Sequence, residues 1–411
     1  MLRDYQEQTV QKMLWGITLE GNGLVSIPTG GGKTHIIAEF TKRLGEPVLI
    51  LVPSKELLEQ DLEKLSGVVP VEQIGVYSAS MNSKEVRRFT LATIQSAYKH
   101  PEQFSHYQVV IIDEADLLNP KNLEGMYRSF FATIGNPHII GLTATPFRMD
   151  SYYRRIGTGR SFYNVETVHT IKFLTRFRER FWQRILHVVH VKDLVDAGFL
   201  CPLTYTTYEM IPQTQLAFNR SKSEFDMEDF EQKFNPFLVK TAGLVSNIPS
   251  DSVLIFCATI TQANNLQKLI PSSSVVTAET PAKERTKMIK AFRTGELRVA
   301  INVGVLLVGF DKPNLGAIVI ARPTRSLRLH MQLLGRGMRT AVGKTTCLVY
   351  DLVGNTKIMG TAESMRIEKL QTDKGTALWN ITTNTKPDGW HYAELYSHKL
   401  HTASKKEEEE S

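Results

Sequence analysis

Lys33 and Thr34 close the run Pro28-Thr29-Gly30-Gly31-Gly32-Lys33-Thr34. These are the residue types that bind phosphate: glycines whose backbone N–H groups can approach an anion, an ammonium and a hydroxyl. Thr29, Gly30, Gly31 and Gly32 would line the cradle. Lys33 would reach the β- and γ-phosphates of ATP, and Thr34 would hold Mg²⁺. The full pattern G-x-x-x-x-G-K-[ST] asks for glycine at position 27, where this chain has Ile27. Further on, Val109-Val110-Ile111-Ile112 runs into Asp113-Glu114-Ala115-Asp116. An apolar run that ends in acids places carboxylates at the C-terminal edge of a central strand, where α/β sheets bind ligands. Asp113 would hold the Mg²⁺ directly or through water. Glu114 would orient or deprotonate an attacking water.

These residues need a strand, a loop and a helix to position them. Residues 23–27 read as a short buried strand, and Ile36, Ile37, Phe40 and Leu44 recur at helical spacing behind the glycines. Further strand candidates are 48–52, 74–77, 109–112 and 139–142, with helical patterns between several of them. Residues 253–256, 275–277, 299–302, 317–321 and 347–350 repeat the theme. The alternation predicts two tandem α/β domains built on parallel sheets. The first is expected over 1–150 and the second over 241–355. A segment without this rhythm, 151–240, stands between them. It opens on a mobile-looking Gly157–Arg160 and carries an acidic amphipathic run over 224–231. A C-terminal extension, 356–411, ends in a charge run.

The 411 residues are 42% apolar and carry a net charge of +7, with a pI of about 9.1. The basic excess fits a polyanionic partner. Cys201, Cys257 and Cys347 are far apart and form no C-x-x-C pair, so neither a zinc site nor a disulfide scaffold is expected. No signal-like or membrane-length apolar run is present, and the expectation is a soluble protein of the cytoplasm.

A series of motifs in order resembles the superfamily 2 helicases and translocases. Leu2-Arg3-Asp4-Tyr5-Gln6 is similar to the family's adenine-recognition element, and 28–34 to motif I. Residues 51–57 resemble motif Ia, 92–96 motif Ib, 113–116 motif II, and Thr143-Ala144-Thr145-Pro146 motif III. Residues 253–256 open a motif IV, 303–311 end as a motif V in Gly309-Phe310-Asp311, and 332–339 match Q-x-x-G-R-x-x-R, motif VI. The stretches 142–148, 309–314 and 351–355 are most similar to the RadD-like branch, near the XPB and type I restriction motors. The letters D-E-A-D do not imply a DEAD-box RNA helicase. That family carries a different element upstream of motif I, usually S-A-T in motif III and usually an initial His in motif VI. The departures favour a DNA motor.

The resemblance implies two RecA-like domains, ATP and Mg²⁺ as cofactors, and DNA, single-stranded, forked or branched, as partner. Arg3 and Gln6 would read the adenine. Gly309 and Asp311 would join the nucleotide site, and Thr143 and Thr145 would couple it to movement. Gln332, Arg336 and Arg339 are four and three residues apart, so on a helix they share one face. The guanidinium groups of Arg336 and Arg339 suit a γ-phosphate that carries developing charge. They belong to the second domain, so the catalytic set would be complete only on domain closure. Pro53, Ser54, Lys55, Thr93, Gln95, Thr259 and Gly304 would track strand phosphates without reading sequence.

Lys172, Arg176, Arg180 and Arg184 recur every fourth residue, with Phe173, Phe177, Phe181 and Ile185 one position later. On a helix this is a basic stripe beside an aromatic one, suited to phosphate contact or to a wedge at a duplex junction. The plainer alternative buries the phenylalanines and solvates the charges, and burial is the expectation for the aromatics. The rival functions are an RNA-directed ATPase and a nucleic-acid-binding subunit whose ATP site is only a switch. A stand-alone motor on branched DNA in replication, recombination or repair, phage-encoded and acting in the host cytoplasm as a monomer or weak oligomer, completes the expectation.

Overall fold

The computed structural model describes residues 2–122, 124–156, 164–178, 180–305, 310–371 and 377–383, without the side chains of 151–169, 282 and 370–378. The chain packs as two compact units. One is Met1–Arg148 with Lys172–Val189, and the other is Met149–Ile171 with His190–Ser411. Among the described residues no helix is long and apolar enough to cross a membrane.

The strands of the first unit's sheet are β1 (Gly23–Ser26), β2 (Val48–Val52), β3 (Ile74–Ser78), β4 (Ser83–Lys84), β5 (Phe89–Thr93), β6 (Val109–Asp113) and β7 (His138–Thr143). Next come β8 (Phe147–Ile156) and β9 (Asn164–Phe173), which pair as a two-stranded sheet of their own. β10 (Arg184–Val188) then returns to the main sheet. The order across that sheet is β10-β1-β7-β6-β2-β5-β3-β4, and every pair except β3 with β4 is parallel. β1, β2 and β6 are buried along their whole length. Continuous apolar runs, not alternation, mark parallel strands covered on both faces. Each fully buried Val, Leu or Ile there contributes ~1.5–3 kcal/mol relative to exposure.

The order β1-β7-β6 decides where chemistry can happen. Ser26 pairs with Thr143, and Asp113 pairs with Leu142. The loop after β1, the acids after β6 and the threonine that ends β7 therefore leave the sheet along one C-terminal edge, where strand order reverses direction. The helix Lys33–Leu44 begins there. It buries Ile36, Ile37 and Phe40 and stops at Gly45, whose φ of 68° is the left-handed conformation that glycine adopts freely. Beside it packs the helix Lys55–Ser66, capped by the Ser54 hydroxyl, which accepts the Leu57 N–H.

The second unit holds a six-stranded, wholly parallel sheet of β11 (Leu203–Thr207), β12 (Val253–Cys257), β13 (Ser273–Val276), β14 (Val299–Asn302), β15 (Ala317–Ala321) and β16 (Cys347–Asp351), ordered β11-β16-β15-β12-β14-β13. β17 (Arg366–Gln371) and β18 (Ala377–Thr382) form an antiparallel pair after it. Both units are RecA-like.

The stretch 151–240 is not a separate body between the sheets. β10 joins the first sheet against β1, and β11 joins the second against β16. The acidic run folds into the helix Met227–Phe234, capped by Asp226. Gly157–Arg160 and the charged tail lie outside the described residues.

Candidate nucleotide site and nucleic-acid surface

The phosphate loop is set by its glycines. Gly30 and Gly32 have φ of 83° and 77°, values that cost an L side chain about 1–2 kcal/mol. Gly31 N–H donates to Pro28 O at 2.9 Å, closing the turn. His35 and Ile36 N–H donate to Gly32 O, starting the helix. The adenine element meets this loop. A Cβ at Gly32 would run into the Gln6 side-chain amide. Gln6 is buried, and its Oε1 accepts Arg3 N–H at 3.0 Å. Tyr5, which the sequence named in this element but gave no role of its own, donates its hydroxyl to Gly31 O at 2.8 Å.

Lys33 Nζ lies 2.9 Å from Glu114 Oε1, both side chains largely buried. Burial alone would lower the Lys33 pKa; Glu114 and Asp113 outweigh it and hold it above the ordinary value. Asp113 ends β6 at 1% exposure, and its Oδ1 has no hydrogen-bond partner among the described residues. Burial pushes its carboxyl up to about 7, against the pull of Lys33. Glu114 sits at φ 53°, ψ 51°. A left-handed non-glycine residue costs on the order of 1–3 kcal/mol, and such strain gathers at functional positions. Here it turns the carboxylate back toward Lys33. A buried carboxylate oxygen without a partner, an ammonium and a glycine cradle fit a magnesium–triphosphate ligand, with Thr34 and Asp113 as the residues that would hold the metal.

Asp116 links motif II to motif III. Its Oδ1 accepts the Thr143 hydroxyl at 2.7 Å and its Oδ2 the Thr145 hydroxyl at 3.3 Å, while Thr145 N–H donates to Thr143 Oγ1 at 3.0 Å. Ile27 N–H donates to Thr143 O, which ties the network to the strand under the phosphate loop. Fully satisfied buried networks of this kind fix one arrangement of their members. The sequence placed the two threonines but gave Asp116 no role.

In the second unit the helix Leu327–Gly335 carries Gln332 but ends before the arginines. Arg336 is its C-cap and Arg339 lies beyond it, so the shared helical face expected for the three residues is not formed. In the turn that follows, Gly337 packs where no side chain fits: a Cβ there would lie 2.8 Å from Cys347 Sγ and 3.0 Å from Ile318 Cδ1. Arg336 Nη1 donates to Phe310 O at 2.5 Å, and Arg339 pairs with Asp311 at 2.8 Å. Gly309 lies outside the described residues.

The candidate strand-binding residues divide. Gly304 is exposed with φ 77°. Gln95 is exposed on the short helix Ile94–Ala97, Lys55 is exposed, 3.6 Å from Glu59, and Pro53 is half-buried. Thr93, Ser54 and Thr259 have structural tasks. Thr93 donates to Ser96 Oγ at 2.9 Å, Ser54 caps its helix, and Thr259 caps the helix Ile260–Leu269 while donating to the Glu231 carboxylate.

The basic–aromatic stripe is not a helix. Lys172 and Phe173 end β9, residues Leu174–Arg176 make a 3₁₀ turn, the chain turns again at Arg180 with φ 35°, and Arg184 opens β10. Pairing of β10 with β1 overrides the four-residue spacing. Phe173, Phe177, Phe181 and Ile185 are all buried. Phe181 stacks on Phe131 at 5.8 Å and lies under the Arg128 guanidinium at 5.2 Å. Lys172 Nζ sits 4.9 Å over the Phe177 ring, and Arg184 donates to Glu20 O at 2.6 Å. Arg176 and Arg180 are exposed.

Comparison with known proteins agrees with this geometry. Residues 1–148 match the family of type III restriction enzyme res subunits, and residues 236–341 match the helicase conserved C-terminal domain. A candidate ATP-dependent helicase, IRC3 of Saccharomyces cerevisiae, is 24% identical over 388 residues, 87% of this chain and 52% of that protein. The chain thus spans about half the length of this relative. The DNA 3'-5' translocase XPB2 of Sulfurisphaera tokodaii is 23% identical over 360 residues, 82% of this chain and 78% of the relative. A fragment of a candidate HsdR subunit of a type I restriction enzyme from Vibrio vulnificus has the same fold, with a TM-score of 0.61 at 18% identity over 88% of this chain and 67% of that one. With a phosphate loop and paired acids in the first RecA-like unit, a Q-x-x-G-R-x-x-R segment in the second, and family matches to both, the chain belongs to the superfamily 2 helicases.

Proposed function

We propose that this chain hydrolyses ATP and uses the cycle to move along DNA. The observation that carries the reading is the edge formed by β1, β7 and β6. There Lys33 pairs with Glu114 at 2.9 Å beside the buried Asp113, at the end of a loop with two left-handed glycines. Arg3 and Gln6 bind the adenine, and residues 29–34 grip the phosphates. Thr34 and Asp113 hold Mg²⁺, which when bound neutralises charge on the phosphate oxygens. Glu114 orients the attacking water and accepts its proton. Asp116 with Thr143 and Thr145 relays the state of the site to the rest of the sheet. Gln332, Arg336 and Arg339 supply positive charge and hydrogen bonds to the γ-phosphate during turnover.

DNA as the partner rests on the net charge of +7 and on relatives such as the archaeal DNA translocase. Single-stranded, forked or branched DNA in replication, recombination or repair is the finer proposal. Pro53, Lys55, Gln95, Gly304, Arg176 and Arg180 are the first residues to test for strand contact. Steady-state hydrolysis of ATP with single-stranded, duplex, forked and four-way-junction DNA, and with RNA, tests the reading. Stimulation by RNA and by none of the DNAs would transfer the proposal to an RNA-directed ATPase.

A further inference from the structure

Asp61 belongs to no motif named above. It lies on the helix Lys55–Ser66, in the row that buries Leu57, Leu58 and Leu65. That spacing is an apolar helix face, and an acid in it breaks the pattern. Asp61 is 2% exposed, and neither carboxylate oxygen has a hydrogen-bond partner among the described residues. Burial of a carboxylate without compensation is costly, so a group kept in this condition calls for a reason.

Its surroundings supply one. The helix packs against Lys33–Leu44, whose first two residues are Lys33 and Thr34. Burial drives the Asp61 carboxyl well above the usual carboxylate range, and Asp113 drives it further. Thr34 and Lys33 pull it down, and Glu114 adds a smaller push upward. The four side chains named, Asp113, Thr34, Lys33 and Glu114, all belong to the phosphate loop or to motif II. The Thr34 hydroxyl is near enough to be felt but stands outside hydrogen-bonding geometry.

We propose that Asp61 is a positioning residue of the Mg²⁺ site, accepting the proton of the Thr34 hydroxyl so that the oxygen lone pair faces the metal. A hydroxyl that ligates a cation must direct its proton elsewhere, and a carboxylate behind it is the strongest acceptor for that purpose. The proposal rests on the reading of this edge as a magnesium–ATP site.

The test uses the full chain, a fluorescent ATP analogue and a Mg²⁺ titration, with Asp61→Asn and Asp61→Leu beside the wild type. Both variants are expected to raise the Mg²⁺ concentration for half-maximal nucleotide binding by about tenfold. Binding of the analogue in EDTA should stay unchanged. In the absence of nucleotide and metal, Asp61→Leu should melt at or above the wild-type temperature, because a buried polar group without a partner has been removed. A Mg²⁺ midpoint within about twofold of wild type overturns the proposal, whatever the melting temperature. A lower melting temperature of Asp61→Leu without nucleotide overturns it too, since it would give Asp61 a purely structural role. A wild-type chain that binds the analogue without regard to Mg²⁺ would instead overturn the underlying site reading.

Discussion

Lys33 and Glu114 neutralise one another across 2.9 Å, and in the proposed cycle ATP exchanges that pairing. The ammonium turns to the phosphates, and the carboxylate is released to act on water. The two residues should therefore fail differently. Lys33→Ala should abolish detectable nucleotide binding. Glu114→Gln should spare binding and lower kcat about 10²–10⁴-fold, the usual range for a general base. Equilibrium binding and single-turnover hydrolysis separate the two effects, and equal loss of binding in both variants would contradict the division of roles. Gly32→Ala meets two obstacles at once, a φ of 77° and the Gln6 amide. It should cost about 1–2 kcal/mol in thermal unfolding and weaken nucleotide binding, because Gln6 must move. The types and spacing of Lys33, Asp113 and Glu114 were readable because this chemistry has few alternatives. The motif positions of Tyr5 and Asp116 were readable but their roles were not, and Asp61 was not read at all, because those roles depend on what faces each residue in space.

At the scale of elements, these central strands of the two sheets were legible because each is a buried apolar run: 48–52 and 299–302 coincide with β2 and β14, and 109–112 and 139–142 fall one or two residues short of β6 and β7. β5, with Thr90 and Thr93 inside it, and β10, with Arg184 and His187, have no such run and were missed. The stripe over 172–185 failed for a related reason. A spacing of four marks one face of a helix, yet here the phenylalanines reach a common core from a strand end, turns and β10. Phe181→Ala should therefore destabilise the first unit by about 3–5 kcal/mol, as large-to-small changes in aromatic cores do, measured by denaturant unfolding. A cost under about 1 kcal/mol would restore the wedge reading. Arg176 and Arg180, exposed on the same stretch, carry the remaining claim on phosphate. Replacing both by Gln should reduce the salt slope of DNA binding by about two. An unchanged slope assigns both to plain solvation.

The whole molecule is two RecA-like units, and the proposed function draws on residues of both. The first holds the phosphate loop, both motif II acids and the Asp116 network. The second holds Arg336 and Arg339 on its own Phe310 carbonyl and Asp311 carboxylate. Arg336→Ala should lower kcat on the order of 10³-fold, the lower range for an arginine that meets transition-state charge, while the nucleotide affinity set by the first unit changes little. An active fragment of the first unit alone would remove the second from catalysis. The central claim is that nucleic acid and ATP hydrolysis are linked in this chain. The most direct test is steady-state ATP hydrolysis by the wild type and by Glu114→Gln, with and without saturating single-stranded or forked DNA. The account predicts strong stimulation of the wild type by DNA and a rate in the variant near the buffer blank under all conditions. Wild-type turnover that DNA leaves unchanged, or turnover that survives Glu114→Gln, would contradict it.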